Sequence, residues 1–306
     1  MVPRWLGSLV EVGFVDQPNA STAVPCLAFS TLAFPDQPLA KVAEFGRQCG
    51  YEGIELRLVD GELIDPAMPS EKRLRVKRDV AGLPVVAVDT SVRLTEEEPV
   101  PQMRAFLELA SEWEAPAIRV FGGKLPEEEG ARREVLLGAA KALEDVVADA
   151  QRLGVAVGLE THDSFSASSV VAELLEMVPS PWVGAVWDSH HPHRVGETPA
   201  DVYANIGQRL VLAQVKDARR SDGEASGWKL VLMGEGEVPV QEMLSVLGSH
   251  GYRGAVSVEW EKRWHPEIEE PEVALPQHMK VLTPWMASAW GTAGSSTGAR
   301  ATEGEK

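Results

Sequence analysis

The 306-residue sequence predicts an α/β protein folded as one (β/α)8 barrel, the TIM-barrel architecture. Eight short, continuously apolar segments have the pattern of buried parallel strands, and an amphipathic helical segment follows each one. The main alternative, a doubly wound sheet, lacks the Gly-rich nucleotide loop that usually accompanies it. We therefore expect a single barrel domain over residues 21–290, an N-terminal extension over residues 1–20 and a polar, disordered tail over residues 291–306.

The predicted elements alternate regularly along the chain. The strands are expected at residues 25–30, 51–56, 83–90, 117–121, 155–159, 182–187, 210–215 and 255–258. The helices are expected at residues 39–49, 70–81, 101–113, 127–153, 168–178, 199–206, 239–247 and 272–290. Local signals mark several helix ends: Gly50 and Gly82 close the first two helices, and Ser70 caps the second.

The composition excludes several classes of protein. A formal net charge of -17 argues against nucleic-acid partners, whose binding depends on Lys and Arg side chains that neutralise phosphates. No apolar run approaches the ~20 residues that a membrane-spanning helix needs, and the first residues lack the features of a signal peptide. Cys26 and Cys49 form neither a disulfide framework nor a metal-binding spacing. We expect a cytoplasmic protein that does not bind membranes.

Oxygen donors stand at the ends of four successive predicted strands. Glu160, Asp188, Gln214 and Glu259 each follow or end an apolar strand, and the carboxyl ends of barrel strands meet at one mouth. Three carboxylates brought together there would repel one another unless a cation lay between them. The alternative is a set of separately ion-paired strand ends. Oxygen-rich ligation favours Mn²⁺, Mg²⁺ or Co²⁺ over a structural zinc ion, so we predict a divalent metal held by these four residues.

Several motifs occur in an order that resembles a known family. They are GIELR (53–57), IRVFGG (118–123), LETH (159–162), WDSHH (187–191), QVKD (214–217), GEGEV (234–238) and VEWEKRWHPE (258–267). Together they resemble the sugar phosphate isomerase/epimerase group of the xylose-isomerase-like barrels, over roughly residues 24–285. This resemblance implies a metal held by Glu, Asp, His and Glu, which correspond here to Glu160, Asp188, Gln214 and Glu259.

The third ligand position departs from the family pattern. Most epimerase-like members carry histidine where this chain has Gln214, although a glutamine carbonyl oxygen is still a ligand for hard ions. In having glutamine at this position, the sequence also resembles the dehydroshikimate dehydratases of the family. The departure therefore keeps a lyase activity open beside an isomerase activity.

The resemblance also implies catalytic roles. Glu160 and Glu259 would exchange a proton on opposite faces of a substrate while the metal stabilises the enediolate. His191 would contact a substrate hydroxyl, and His162 would do the same or orient Glu160. In a dehydratase, His162 or His191 would instead remove the proton before hydroxide leaves.

Five further residues are candidates for substrate binding. Arg57, Arg119 and Lys216 lie at or near strand ends, where each would bind a substrate carboxylate or phosphate or form a structural ion pair. Glu55 is a candidate with a buried salt bridge as its alternative. Trp187 is a candidate pocket wall, with core packing as its alternative.

The function expected from these observations is isomerisation or epimerisation of a keto sugar or related hydroxy-carbonyl compound. The alternatives are a dehydratase acting on a dehydroshikimate-like or keto-inositol-like compound, and a non-catalytic sugar-binding barrel. The expected partner is a small sugar or polyol. Because relatives in this family commonly form dimers or tetramers, the resemblance also implies a homo-oligomer.

Overall fold

The computed structural model describes residues 24–80, 82–224 and 226–291. The predicted extension over residues 1–20 lies outside these ranges. Of the predicted tail, Gly291 is the last residue of a helix and the remainder lies outside the described residues. Among the described residues, no helix is long and apolar enough to cross a bilayer.

Eight parallel strands form a closed barrel, which confirms the predicted fold class. They are β1 (Leu27–Ser30), β2 (Gly53–Leu56), β3 (Val85–Arg93), β4 (Ala117–Phe121), β5 (Ala156–Glu160), β6 (Val183–Asp188), β7 (Leu210–Val215) and β8 (Val256–Val258). Each strand pairs in parallel with the next along the chain, and β8 pairs with β1 to close the sheet. All eight carboxyl ends therefore meet at one mouth.

The helices that cover the barrel lie close to their predicted positions. They are α1 (Leu39–Cys49), α2 (Ser70–Asp79), α3 (Pro99–Glu112), α4 (Glu129–Leu153), α5 (Ser168–Met177), α6 (Pro199–Ile206), α7 (Val240–Ser249) and α8 (Pro271–Gly291). Gly50 ends α1 in a left-handed conformation with φ of 93°, as its position in the sequence predicts. At the start of α6, Thr198 and Asp201 form a capping box.

The barrel interior is small and apolar in its lower part. Side chains on alternate positions of a strand point to opposite faces, so one set enters the barrel and the other packs beneath the helices. The interior cluster consists of Ala87, Ala117, Ala156, Val186, Val211 and Leu212. The larger core lies between the outer faces of the strands and the helices, with Phe29, Ile54 and Leu107 fully buried. This filling leaves the upper interior positions to polar residues.

Two hairpins and one short helix were not predicted from the sequence. The hairpins pair Leu58–Val59 with Glu62–Leu63 and Asp217–Arg220 with Trp228–Val231. The helix His190–Arg194 replaces the expected loop after β6. It forms there because Asp188 Oδ1 accepts hydrogen bonds from the backbone N–H groups of His190 and His191, at 2.7 and 3.4 Å.

Candidate active site

A buried polar layer crosses the barrel at the carboxyl ends of its strands. Each strand contributes one inward polar residue, which lies within the strand or directly after it: Ser30, Glu55, Asp89, Arg119, Glu160, Asp188, Gln214 and Glu259. All of these residues are at most 4% exposed. Burying so many charges is costly unless they are paired or bind a cation, so the partners of each side chain indicate what the layer is built to hold.

Three of the predicted metal ligands converge. Glu160, Asp188 and Glu259 each offer a carboxylate oxygen, and these oxygens lie within 4.8 Å of one another. The residues come from β5, β6 and the segment after β8, so the barrel itself brings them together. A second group that overlaps the first contains Glu160, His162 and His191.

Gln214 presents its carbonyl oxygen as an acceptor in the same layer. Its Nε2 donates to Glu55 Oε1 at 2.7 Å, which fixes the orientation of the amide. Its Oε1 is buried and has no hydrogen-bond partner among the described residues. In the sheet, Gln214 is paired in register with Asp188. An unsatisfied oxygen beside three carboxylates is a donor set suited to a hard divalent cation, so the residues present are compatible with the predicted metal.

Lys216 lies among the carboxylates on the β7–β8 side. Its Nζ is 2.7 Å from Asp188 Oδ2 and 2.6 Å from Glu259 Oε2, and it also pairs with Glu261. The contact with Asp188 is an ion pair whose geometry is not that of an aligned hydrogen bond. Burial alone would lower the pKa of Lys216, but the surrounding carboxylates outweigh it and raise that pKa well above the usual value. Lys216 therefore stays charged and neutralises part of the acidic layer.

Arg119 neutralises the opposite part of the layer. Its guanidinium contacts Glu160 at 2.9 Å and Asp89 at 3.4 Å, and it donates to the carbonyl oxygen of Thr90 at 3.0 Å. It also lies 4.0 Å from the centre of the Phe121 ring. Although burial opposes the charged form, these carboxylates raise the pKa of Arg119. Arg119 is therefore a fixed cation beside one of the predicted metal ligands.

The acidic groups respond differently to this environment. Burial raises the pKa of Glu259 well above its usual range; Lys216 opposes this shift, and the neighbouring Glu261 and Glu160 add to it. The pKa of Glu160 is also raised by burial, although Arg119 and His162 oppose the shift. For Asp188, burial acts in the same direction but Lys216 and His191 outweigh it, and its pKa is lowered. The layer thus combines a persistent anion with two carboxyl groups that hold protons more readily.

Two histidines cover one side of the layer. The rings of His162 and His191 are 4.3 Å apart in an edge-to-face arrangement, and Phe121 packs 4.7 Å from His162. Burial lowers the pKa of His191 well below its usual value. Burial would also lower the pKa of His162, but its contact with Asp163 at 3.0 Å and the charge of Glu160 raise it. The pair therefore joins a neutral imidazole to one that protonates more easily.

Comparison with known proteins identifies the family. The sequence pattern of the xylose isomerase-like TIM barrel family matches residues 43–285. The chain belongs to this family. The sequence resemblance stated above is therefore confirmed.

Relatives of this xylose isomerase-like barrel include named enzymes. Inosose isomerase from Halalkalibacterium halodurans is 26% identical over 232 residues, which cover 72% of this chain and 82% of the relative. The crystal structure of IOLI protein with a bound zinc atom has a TM-score of 0.70 at 18% identity, over 86% of this chain and 99% of that one. The probable 3-DHS dehydratase AsbF from Bacillus anthracis has a TM-score of 0.65 at 19% identity, over 84% of this chain and 98% of that one. The two structural likenesses show the shared fold.

Trp187 is one candidate that the structure places away from this layer. It precedes Asp188 on β6 and so faces the outside of the barrel, where it lies near Pro199, Val202 and Met243 beneath α6 and α7. This position favours core packing, the alternative stated for Trp187, over a place in the pocket wall. Its large apolar ring is part of the core between barrel and helices.

Two acidic residues of the site were not among the predicted site residues. Asp89 is fully buried beside Arg119, and Glu261 pairs with Lys216. Asp89 directly follows the apolar run Val85–Val88, as Glu160 follows the apolar part of β5, so a carboxylate after an apolar run was the available signal. Glu261 is two positions beyond Glu259, and its role depends on how the chain turns after β8.

Proposed function

We propose that this protein is a divalent-metal-dependent isomerase or epimerase of a keto sugar or related hydroxy-carbonyl compound. The observation that carries the proposal is the convergence of Glu160, Asp188 and Glu259 within 4.8 Å, with the unsatisfied Gln214 Oε1 in the same layer. The expected ion is Mn²⁺, Mg²⁺ or Co²⁺, because every proposed ligand atom is an oxygen. The IOLI structure, which has the same fold, contains a bound zinc atom, and this supports metal binding as part of the proposal.

The proposed chemistry is proton transfer next to a carbonyl group. A divalent cation at this site would polarise the substrate carbonyl and its neighbouring hydroxyl, which makes the adjacent C–H proton more acidic. Glu160 ends β5 and Glu259 directly follows β8, and β6 and β7 lie between these two strands, so the two side chains approach the mouth from different sides. In our proposal one of them removes the proton and the other returns a proton to a neighbouring position or to the opposite face.

The remaining side chains position the reacting groups. Arg119 contacts Glu160 at 2.9 Å and Lys216 contacts Glu259 at 2.6 Å, so each proposed acid/base group has its own cationic partner. These contacts hold both carboxylates in position before substrate binds, so the proposed proton transfer requires no large movement of either side chain. We assign to His191 and His162 the binding of a substrate hydroxyl, since both rings lie beside Glu160.

Hydrogen exchange in heavy water tests the proposal across a range of candidate substrates. The metal-loaded protein is incubated with a panel of ketoses and keto-polyols in D₂O, and NMR detects deuterium next to the carbonyl. We expect incorporation, without loss of water, for at least one compound. Glu259→Gln should abolish it, whereas Glu267→Gln, at a half-exposed glutamate of the same segment, should not. Failure to bind any divalent cation would refute the proposal, and metal binding without any exchange would leave a sugar-binding barrel.

A dehydratase is the second candidate, and the histidine pair favours it. A neutral imidazole within reach of the metal-ligand group is a suitable base for an elimination, and His191 has the environment of a neutral imidazole. The likeness to the probable 3-DHS dehydratase AsbF is in keeping with this candidate. The same NMR experiment distinguishes the two reactions, because elimination gives an unsaturated product and epimerisation does not.

A further inference from the structure

The three cationic residues that the sequence suggests for substrate binding differ in the partners that the structure gives them. Arg119 contacts two carboxylates, and Lys216 contacts three. Arg57 has no carboxylate within 4.0 Å among the described residues. The first two cations are therefore committed to the protein's own acids, whereas Arg57 is not.

Arg57 is nevertheless almost completely buried. The residue is 6% exposed, and within the described part of the chain its guanidinium donates only to the carbonyl oxygen of Asp89, at 3.3 Å, and to Ser91 Oγ, at 3.0 Å. Burial, followed by repulsion from Arg119, lowers the pKa of Arg57 to about 10, although the more distant charges of Asp89, Glu160 and Glu259 oppose the shift. A buried guanidinium with neutral partners lacks the pairing that normally offsets its desolvation. Its planar fork of N–H donors is suited to a carboxylate or phosphate.

The side chain of Thr31 fixes the backbone at Arg57. Thr31 Oγ1 accepts hydrogen bonds from the backbone N–H groups of Arg57 and Leu58, at 2.9 and 2.7 Å. Arg57 follows β2 directly, two positions after the inward-facing Glu55, so it lies one step nearer the mouth. The conformation is therefore set before any ligand arrives, which reduces the entropy lost on binding.

The position of Arg57 relative to the metal ligands indicates which part of a substrate it meets. In the closed order of eight strands, β2 lies four places from β6. Arg57, which follows β2, and Asp188, which ends β6, therefore stand on opposite sides of the mouth. The proposed metal ligands occupy β5 to β8. A substrate whose carbonyl end lies at those strands extends its far end toward β2.

We propose that Arg57 binds an anionic group, a carboxylate or a phosphate, carried by the substrate at the end away from the reacting carbonyl. The inference rests on the proposed function for the placement of the reacting end. It narrows the substrate class from neutral ketoses to keto acids or sugar phosphates.

Binding measurements on the full-length, metal-loaded protein test the inference independently of turnover. Isothermal titration calorimetry compares D-fructose with its 6-phosphate and with D-fructuronate, a keto acid whose carboxylate is at the end away from the keto group. We expect at least one anionic probe to bind about tenfold more tightly than D-fructose, because charge-assisted hydrogen bonds are stronger than neutral ones. Preference for the phosphate or for the keto acid then identifies the anion. Equal affinity for all three probes would overturn the inference.

Two variants connect that preference to Arg57. Arg57→Met should remove it and Arg57→Lys should retain part of it. Arg93→Gln, at another arginine of the same mouth that already contacts Glu96 and Asp163, should leave it intact. A preference that survives in Arg57→Met would assign the anion site elsewhere. The thermal midpoint is a separate readout. Arg57→Met should change it little, because the desolvation of the guanidinium is offset only by two hydrogen bonds to neutral groups, whereas a mainly structural role of Arg57 would lower it clearly. If the metal is absent but the anionic preference is present, only the proposed function fails.

Discussion

Gln214 and Glu55 form a hydrogen bond across the barrel interior, from β7 to β2, with 2.7 Å between Nε2 and Oε1. Both residues are fully buried. The bond uses the amide nitrogen and leaves the carbonyl oxygen available, so a glutamine supplies an oxygen where the family pattern has a histidine nitrogen. In this arrangement Glu55 orients a proposed metal ligand. The sequence had suggested two other roles for Glu55, substrate binding and a buried salt bridge.

The first prediction concerns this orienting bond. Glu55→Leu removes the acceptor, so the amide of Gln214 is free to turn its nitrogen toward the metal, and Mn²⁺ affinity should fall by about 10-fold or more. Glu55→Gln is the matched control, because its side-chain oxygen still accepts from Nε2 and affinity should stay close to the wild-type value. Isothermal titration calorimetry with Mn²⁺ measures both. Equal affinity in the leucine variant would show that Gln214 is not held by Glu55 for ligation.

The second prediction concerns the charge of Lys216. In Lys216→Met, Asp188, Glu259 and Glu261 lose their shared cation, and the free energy of unfolding without metal should fall by about 3–5 kcal/mol. Added Mn²⁺ should recover part of this loss, because a divalent cation then neutralises Asp188 and Glu259. Denaturant titration with and without Mn²⁺ gives both values.

A surface lysine provides the comparison for Lys216. Lys72 pairs with Glu62, whose side chain is 77% exposed, so Lys72→Met should cost less than about 1 kcal/mol and should not respond to Mn²⁺. If the two lysine variants lost the same stability, the carboxylates around Lys216 would not depend on it.

The sequence was sufficient for the barrel and for its four strand-end donors because both depend on local patterns. A strand such as Ala117–Phe121 is apolar except for Arg119 and sits between helical segments, so its bounds follow from composition and length. The position of Glu160 at the end of such a strand follows from the same reasoning. Closure of eight strands then brings distant chain ends to one mouth.

The sequence was not sufficient for pairings between side chains of different strands. Whether Arg57, Arg119 or Lys216 faced a substrate or a protein carboxylate depended on distances across the barrel, which no local pattern encodes. The same limit applies to Trp187, because one position along a strand decides between the interior and the outer face. The helix His190–Arg194 was missed because the bonds that start it come from the side chain of Asp188.

The third prediction concerns the space beneath the polar layer. A Cβ at Gly158, two positions before Glu160, would lie 2.6 Å from methyl groups of both Val186 and Val211. Gly158→Ala should therefore destabilise the fold by about 1–3 kcal/mol through overpacking. Gly138→Ala is the matched control, since a Cβ at that position in α4 meets nothing within 4 Å, and it should be neutral or stabilising by up to about 1 kcal/mol. Thermal unfolding measures the stability of both variants. If Gly158→Ala were as stable as the wild type, that result would contradict the close packing around Gly158.

The fourth prediction concerns pH and His278, a histidine of α8 that is 1% exposed and packs edge-to-face on Trp260 at 5.0 Å. Burial lowers the pKa of His278 from 6.5 to about 3, so the folded protein keeps this ring neutral while the unfolded chain takes up a proton below about pH 6.5. Its contribution to stability is complete above that pH and is lost as the pH falls toward about 3. From about pH 7 to about pH 5, His278 should account for a loss of about 2 kcal/mol in the free energy of unfolding.

The variant His278→Phe tests this contribution, because it keeps an aromatic ring and cannot protonate. Denaturant titrations should show a shallower loss of stability over this range than in the wild type. His250→Gln, at an exposed histidine stacked on Tyr203, should keep the wild-type dependence. Parallel stability curves for His278→Phe and the wild type would show that the acid sensitivity arises elsewhere.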